Sequence, residues 1–196
     1  MESEWLQRLT VQCVGRIMGS NREQRERKES VHVFLALLRT GTNQDHRCMR
    51  QVIRNYDEDL KFLEMRCLAR GGEWRIHHTV NARDTGKAMR YLMKKLIDHP
   101  ELATDIDMEW RSSLLQPECI YGEKLFMLDI DTQDETILQD LDDALKISKA
   151  VVLDMVKTPK GWHYITEPFD TRKVLIIPEV SLQRDGYYFV KKVGSE

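Results

Sequence analysis

Lys124-Leu-Phe-Met-Leu-Asp-Ile-Asp131 is a near-continuous apolar run that ends in acid. Its length and composition suit a buried β-strand over 124–130. Side-chain direction repeats every two residues in a strand, so Asp129 and Asp131 share a face. Downstream, 135–146 reads as a helix, 150–157 as a strand and 162–166 as its hairpin partner. Strands over 174–177 and 187–193 close the chain, joined by a loop that contains Arg184-Asp185-Gly186. Upstream, the alternation in Glu73–Val80 predicts a strand, 81–84 a turn, and 85–97 a helix that Pro100 keeps from running on. Residues 98–123 are mixed, with a break at Leu114-Leu-Gln-Pro117.

Before Gly71-Gly72 the periodicity is helical. Trp5, Leu6, Leu9, Cys13 and Ile17 recur at helix spacing, and 21–30 is a polar, Arg-rich stretch that suits a solvated face. A short apolar helix is expected over 31–39 and a longer one over about 44–69, stopped by the two glycines. These elements define an α+β (mixed α/β) fold, with a helical N-terminal region, 1–70, packed on a central β-sheet in 71–196 as one compact unit.

Composition narrows the class. At 196 residues, 41% hydrophobic and 32% charged, the chain can bury a core, which disordered chains cannot. No apolar run approaches the roughly 20 residues of a membrane span, and Met1-Glu-Ser-Glu4 lacks the pattern of a secretory signal. Cys13, Cys48, Cys67 and Cys119 form no CxxC pair, which favours reduced thiols and a cytoplasmic setting. The net charge of −2 conceals an asymmetry. Residues 1–95 hold 19 Lys and Arg against 12 Asp and Glu, and residues 96–196 hold 11 against 20. A basic half before an acidic one suits a polyanion handler with a carboxylate cluster, and equally two salt-bridged layers.

Two acids on one face at a strand end are hard oxygen ligands suited to Mg²⁺ or Mn²⁺ with substrate phosphates. The competing reading has Asp129 and Asp131 capping the helix that follows. Thr158-Pro-Lys-Gly161 suits a tight turn and puts His163 on the strand leaving it, with Trp162 and Tyr164 on the opposite face. Lys160 and Thr158 would lie beside the same surface. A third cluster, Arg75, Asn81 and Arg83 with Lys87, surrounds a strand, a turn and a helix start that could hold phosphates. Salt-bridged surface arginines would look the same. Haloacid-dehalogenase phosphatases also start from Asp-x-Asp, but Gln133 stands where they want Thr or Val, and too little chain follows. A glycosyltransferase Asp-x-Asp fits worse, with no sugar-nucleotide module before it.

The pair Asp129/Asp131 followed by Thr158-Pro-Lys-Gly-Trp-His163 resembles the first two motifs of the archaeo-eukaryotic primase (primase-polymerase) superfamily, and Phe126–Glu135 is similar to the acidic motif of its small catalytic subunit. The resemblance covers about 40 residues. It implies a nucleotidyltransferase fold, Mg²⁺ or Mn²⁺ on Asp129 and Asp131, His163 on a nucleoside triphosphate, and a nucleic-acid partner. It also implies a third metal-binding acid on a later strand. Asp185 is the choice here, with Asp170 and Asp154 as further candidates. The family's zinc-binding cysteines are missing, as in a minimal member of the sort phages carry. A non-catalytic nucleotide- or nucleic-acid-binding protein on the same scaffold is the alternative.

Overall fold

The segment 31–39, expected as a helix, lies instead in the long strand β1 (Ser30–Arg39). The structure is a computed structural model and describes residues 30–39 and 48–194. The expected helix over 4–18 and most of the Arg-rich stretch lie outside the described residues. Val33, Phe34, Leu35 and Ala36 are all buried, so β1 is covered on both faces. A strand covered on both faces has no period-two signal and cannot be told from a buried helix by pattern. The expected helix over 44–69 begins instead as β2 (Cys48–Ile53), and only Tyr56–Arg70 is helical, as α1. Gly71 and Gly72, both at positive φ, end it as expected.

β3 (Glu73–Thr79) leads through the short β4 (Arg83–Asp84) into α2 (Thr85–Asp98). The mixed stretch after Pro100 contains α3 (Ile106–Leu114). β5 (Phe126–Ile130), α4 (Glu135–Ile147) and the hairpin β6 (Val152–Lys157) and β7 (Trp162–Thr166) follow the expected order. Val174–Ile177 is a turn, not a strand. Val174 is fully buried while Leu175 and Ile176 are exposed, a pattern that follows the 3-10 turn Thr171–Lys173. The strand lies later, as β8 (Val180–Gln183), and β9 (Tyr187–Val193) ends the described chain.

The fold is α+β, with two antiparallel sheets where one central sheet was expected. The first has the order β2-β1-β3-β9, with β4 paired to β1, and the second β6-β7-β5-β8. On one face of the first sheet, Phe34, Ala36, Trp74 and Ile76 pack against Leu63 and Cys67 of α1. Part of its other face is covered where Val33 meets Ala88 of α2 and Leu114 of α3. α4 covers the second sheet through Leu141 and Leu145, against Leu128, Ile130 and Val180. Val80, Met127 and Ile165 join the two sheets in a small apolar contact. Among the described residues no helix is long and apolar enough to cross a membrane.

A polar clamp reinforces that contact. The chain passes from β8 in one sheet to β9 in the other through Arg184-Asp185-Gly186. Arg83, 2% exposed, reaches across to Asp185 with Nη2 2.6 Å from Oδ1 and Nη1 3.0 Å from Oδ2. Asn81 accepts from Leu125 N at 2.7 Å and donates to the carbonyls of Leu125 (3.2 Å) and Arg184 (3.3 Å). Replacing one member of such a pair strands a buried charge. Asp185→Asn should therefore cost about 3 kcal/mol, read as a lower denaturant midpoint.

His32 on β1 and His78 on β3 both direct Nδ1 at the carbonyl of Thr79, at 2.7 and 2.9 Å. Burial, aided by the neighbouring His78, lowers the His32 pKa to about 4. The unfolded chain then binds more protons than the folded one between pH 6.5 and 4. Stability present above pH 6.5 should fall by up to about 3 kcal/mol as pH drops through that window. Denaturation of wild type and His32→Asn across it should show a shallower pH slope in the variant.

Candidate functional site

The faces left uncovered by helices meet in a cleft of about 340 Å³ between the two sheets. From the second sheet it is lined by Asp129, Asp131, Thr158, Lys160, His163 and Gln183, and from the first by Arg75, His77 and Phe189. Strand alternation builds the wall. In β5, Met127 and Asp129 face the cleft while Leu128 and Ile130 enter the α4 core. Asp129 pairs in register with His163 on β7 and with Ser181 on β8. Asp131 follows at the strand's end, exposed, with no hydrogen bond or ion pair to its carboxylate among the described residues. The helix-capping reading of these acids does not hold: Asp134 caps α4, accepting from Thr136 N at 2.8 Å.

The Asp129 carboxylate is held on both sides. Gln183 Nε2 donates to Oδ2 at 3.1 Å, and His163 Nε2 lies 3.3 Å from Oδ1. His163 is 7% exposed, and its Nδ1 accepts from the Phe189 backbone N–H of β9 at 3.1 Å. A nitrogen that accepts carries no proton, so the ring proton sits on Nε2, toward Asp129.

Thr158 fixes the β6–β7 turn: its N–H donates to Gly161 O at 2.8 Å and its hydroxyl accepts from Gly161 N at 3.0 Å. Gly161 is required by close approach, since a Cβ there would lie 1.9 Å from the Ile130 carbonyl oxygen. The turn is thereby pressed against the end of β5, beside Asp131. Lys160 rides on it, exposed, its ammonium in no ion pair among the described residues. Across the cleft, Arg75 Nη2 is 3.6 Å from Glu73, and its Nε is buried with no partner among the described residues. Burial pushes the Tyr187 phenol at the cleft's edge above its usual range, opposed by the Arg50 and Arg83 cations.

Six of the residues read from the sequence thus share one cleft: Arg75, Asp129, Asp131, Thr158, Lys160 and His163. Three do not. Asn81, Arg83 and Asp185 form the inter-sheet clamp, and Asp185, the expected third metal acid, is spent on Arg83. Asp170 pairs with Arg172, and Asp154 accepts from the Tyr188 hydroxyl at 2.8 Å. The sequence reading passed over Gln183, and also Glu179. Asp131 N donates to Glu179 O at 3.0 Å, which continues the β5–β8 register by one hydrogen-bonded pair. Glu179 Oε2 is buried without a partner among the described residues. The alternation Glu179, Ser181, Gln183 was the available signal.

Among the described residues no three His, Cys, Asp or Glu groups are already gathered around one point as a metal cage. Two carboxylates on one strand end, one with no partner and the other with lone pairs to spare, fit a Mg²⁺ or Mn²⁺ that completes its shell with water and phosphate. Comparison with family models, with curated proteins and with solved structures finds no match, so the functional reading rests on residues and geometry. A methyl group at Gly161 must push the turn off β5. Gly161→Ala should cost about 1–3 kcal/mol and shift the backbone amide resonances of Ile130–Thr132, which a chain with an open turn would not show.

Proposed function

We propose that the chain is a metal-dependent nucleotidyltransferase of the primase-polymerase type, which binds a nucleoside triphosphate and works on nucleic acid. One observation carries this reading. A single cleft places two carboxylates on one wall, with a free ammonium above them and a guanidinium opposite. That polarity suits a polyphosphate lying between a cation held by acids and the protein's own cations. A divalent Mg²⁺ or Mn²⁺ on Asp129 and Asp131 supplies charge neutralisation and alignment for an in-line displacement. Glu179, in register with Asp131 though not itself lining the cleft, is the candidate third carboxylate in place of Asp185.

Lys160 and Arg75 bind phosphate oxygens, Lys160 as a mobile point charge and Arg75 through a planar fork. In the displacement a hydroxyl oxygen bonds to the α-phosphorus while the bond to the bridging oxygen of the β-phosphate breaks, and pyrophosphate leaves. Leu35, Leu37 and Phe189 give the cleft an apolar floor for the base or sugar. Arg50 is the cross-strand partner of Leu35, so it shares the cleft-side face and extends the cationic wall toward a nucleic-acid backbone.

A second reading, a non-catalytic nucleotide-binding protein, is favoured by the fact that only two carboxylates line the cleft among the described residues. Chain synthesis from labelled NTPs or dNTPs with Mn²⁺ separates the two. Both readings require the triphosphate to bind. At about 100 times its dissociation constant, nucleotide with Mn²⁺ should stabilise the fold by about 2.7 kcal/mol. Asp131→Asn should abolish that gain while changing metal-free stability by less than about 0.5 kcal/mol. No thermal shift with any nucleotide would sink the proposal.

A further inference from the structure

We infer that His163 is a positioning residue for Asp129, tying the metal-binding carboxylate of one sheet to the backbone of the other. This rests on the metal-and-nucleotide reading of the cleft. It departs from the part the sequence resemblance gives His163, that of a direct triphosphate contact.

Both ring nitrogens are already engaged inside the protein. Nδ1 takes the Phe189 N–H, and Nε2 faces Asp129 Oδ1. At 7% exposure the ring has little surface to offer a phosphate, whereas Lys160 on the neighbouring turn is exposed. The Phe189 amide decides the arrangement. Donating to Nδ1, it selects the tautomer with the proton on Nε2, and so turns a donor toward Asp129. Gln183 supplies a second donor on the other oxygen, at 3.1 Å. Gly186 leaves room for that amide: a Cβ there would lie 2.6 Å from Gln183 Oε1.

The carboxylate plane is therefore set by one group from β7 and one from β8. The first is itself set by β9, across the cleft. Outer groups that orient a metal carboxylate typically contribute 10- to 100-fold in metal affinity. The relay links that affinity to the spacing of the two sheets, since a cleft that opened would lengthen the Phe189 bond and free the ring.

The test is calorimetric titration of Mn²⁺, without nucleotide, into the full chain and three variants. His163→Ala and Gln183→Leu should each weaken Mn²⁺ binding by about tenfold or more. His163→Gln, which can keep an N–H near the position of Nε2, should recover most of the loss. A general structural role would not give that recovery. Should His163→Ala fail to fold, Gln183→Leu and His163→Gln still decide. Unchanged or tighter Mn²⁺ affinity in Gln183→Leu, or in a folded His163→Ala whose nucleotide affinity alone falls, overturns the inference and leaves the nucleotide reading standing. Wild-type protein that takes up neither Mn²⁺ nor Mn²⁺ with nucleotide overturns the reading itself, and this inference with it.

Discussion

The buried ion pair between Arg83 and Asp185 is the constraint on which the architecture turns. The apolar contact between the two sheets is small, at Val80, Met127 and Ile165, and apart from the clamp only a few polar and ring contacts of β9 with β6 and β7 join them. A guanidinium 2% exposed must keep its carboxylate, because the desolvated charge has no other counter-ion of comparable geometry. Asn81 adds directionality by donating and accepting at Leu125, where the chain enters β5. Asp185 sits where the chain passes from β8 to β9 and Arg83 on β4 of the first sheet, so the clamp ties the crossover between the sheets to the first of them. Val80 N, donating to Gly186 O at 3.0 Å, closes the same corner with backbone alone.

Each sheet covers one face with a helix, and the cleft is what remains. α1 and α4 cover the outer faces, while α2 and α3 reach only part of the first sheet's inner face. A sheet face without a covering layer is normally a liability, and this one is tolerated because its residues are mixed. Arg75 and Asp129 break up the apolar surface of Leu35, Leu37 and Met127. An aromatic series crosses the interior nearby: His78 packs against Tyr56 and Tyr188, and Tyr188 against His163. Its rigid rings keep the β3 and β9 backbones in step with β7, which the Phe189–His163 bond requires.

The legible part of the sequence was mostly the part with one buried face, β5 being the exception. β3, α2, α4, the β6–β7 hairpin and β9 alternate or recur with a period, β5 is marked instead by a short apolar run that ends in acid, and each lies within two residues of its expected bounds. β1 was misread because Val33 through Ala36 are buried on both sides, and β2 because six residues cannot display a period against the helix that follows. β8 was displaced because Val174, Leu175, Ile176 and Ile177 are more apolar than Val180–Gln183, yet Val174 alone of the four is fully buried, with Ile177 packed beside it and Leu175 and Ile176 exposed. At the site, local spacing placed Asp129, Asp131 and the Thr158–His163 turn together, since strand geometry and one hairpin suffice for that. The partnership of Arg83 with Asp185 spans 102 residues and leaves no local trace. An acid beside a glycine in a turn and an arginine at a helix start looked like phosphate and metal ligands when in fact they need each other.

The contrast between those two groups of residues bears on how function is read from charge. Arg83, Asp185 and Asn81 are polar, partly or fully buried and paired with one another or with backbone, only Arg83 Nε being left without a partner among the described residues, and the stability of the fold accounts for their pairing. Asp131 and Lys160 line the same cleft, exposed, with no side-chain partner among the described residues. Two opposite charges lining one cleft without pairing gain little for stability there, and a tight turn pinned by Gly161 keeps the lysine on the cleft all the same. Asp129 stands between the extremes, with two donors that orient it and lone pairs left over. Polar groups paired within the protein at the clamp, beside unpaired charges on the cleft, are the arrangement expected where the fold supplies rigidity in one place and a ligand completes the electrostatics in another.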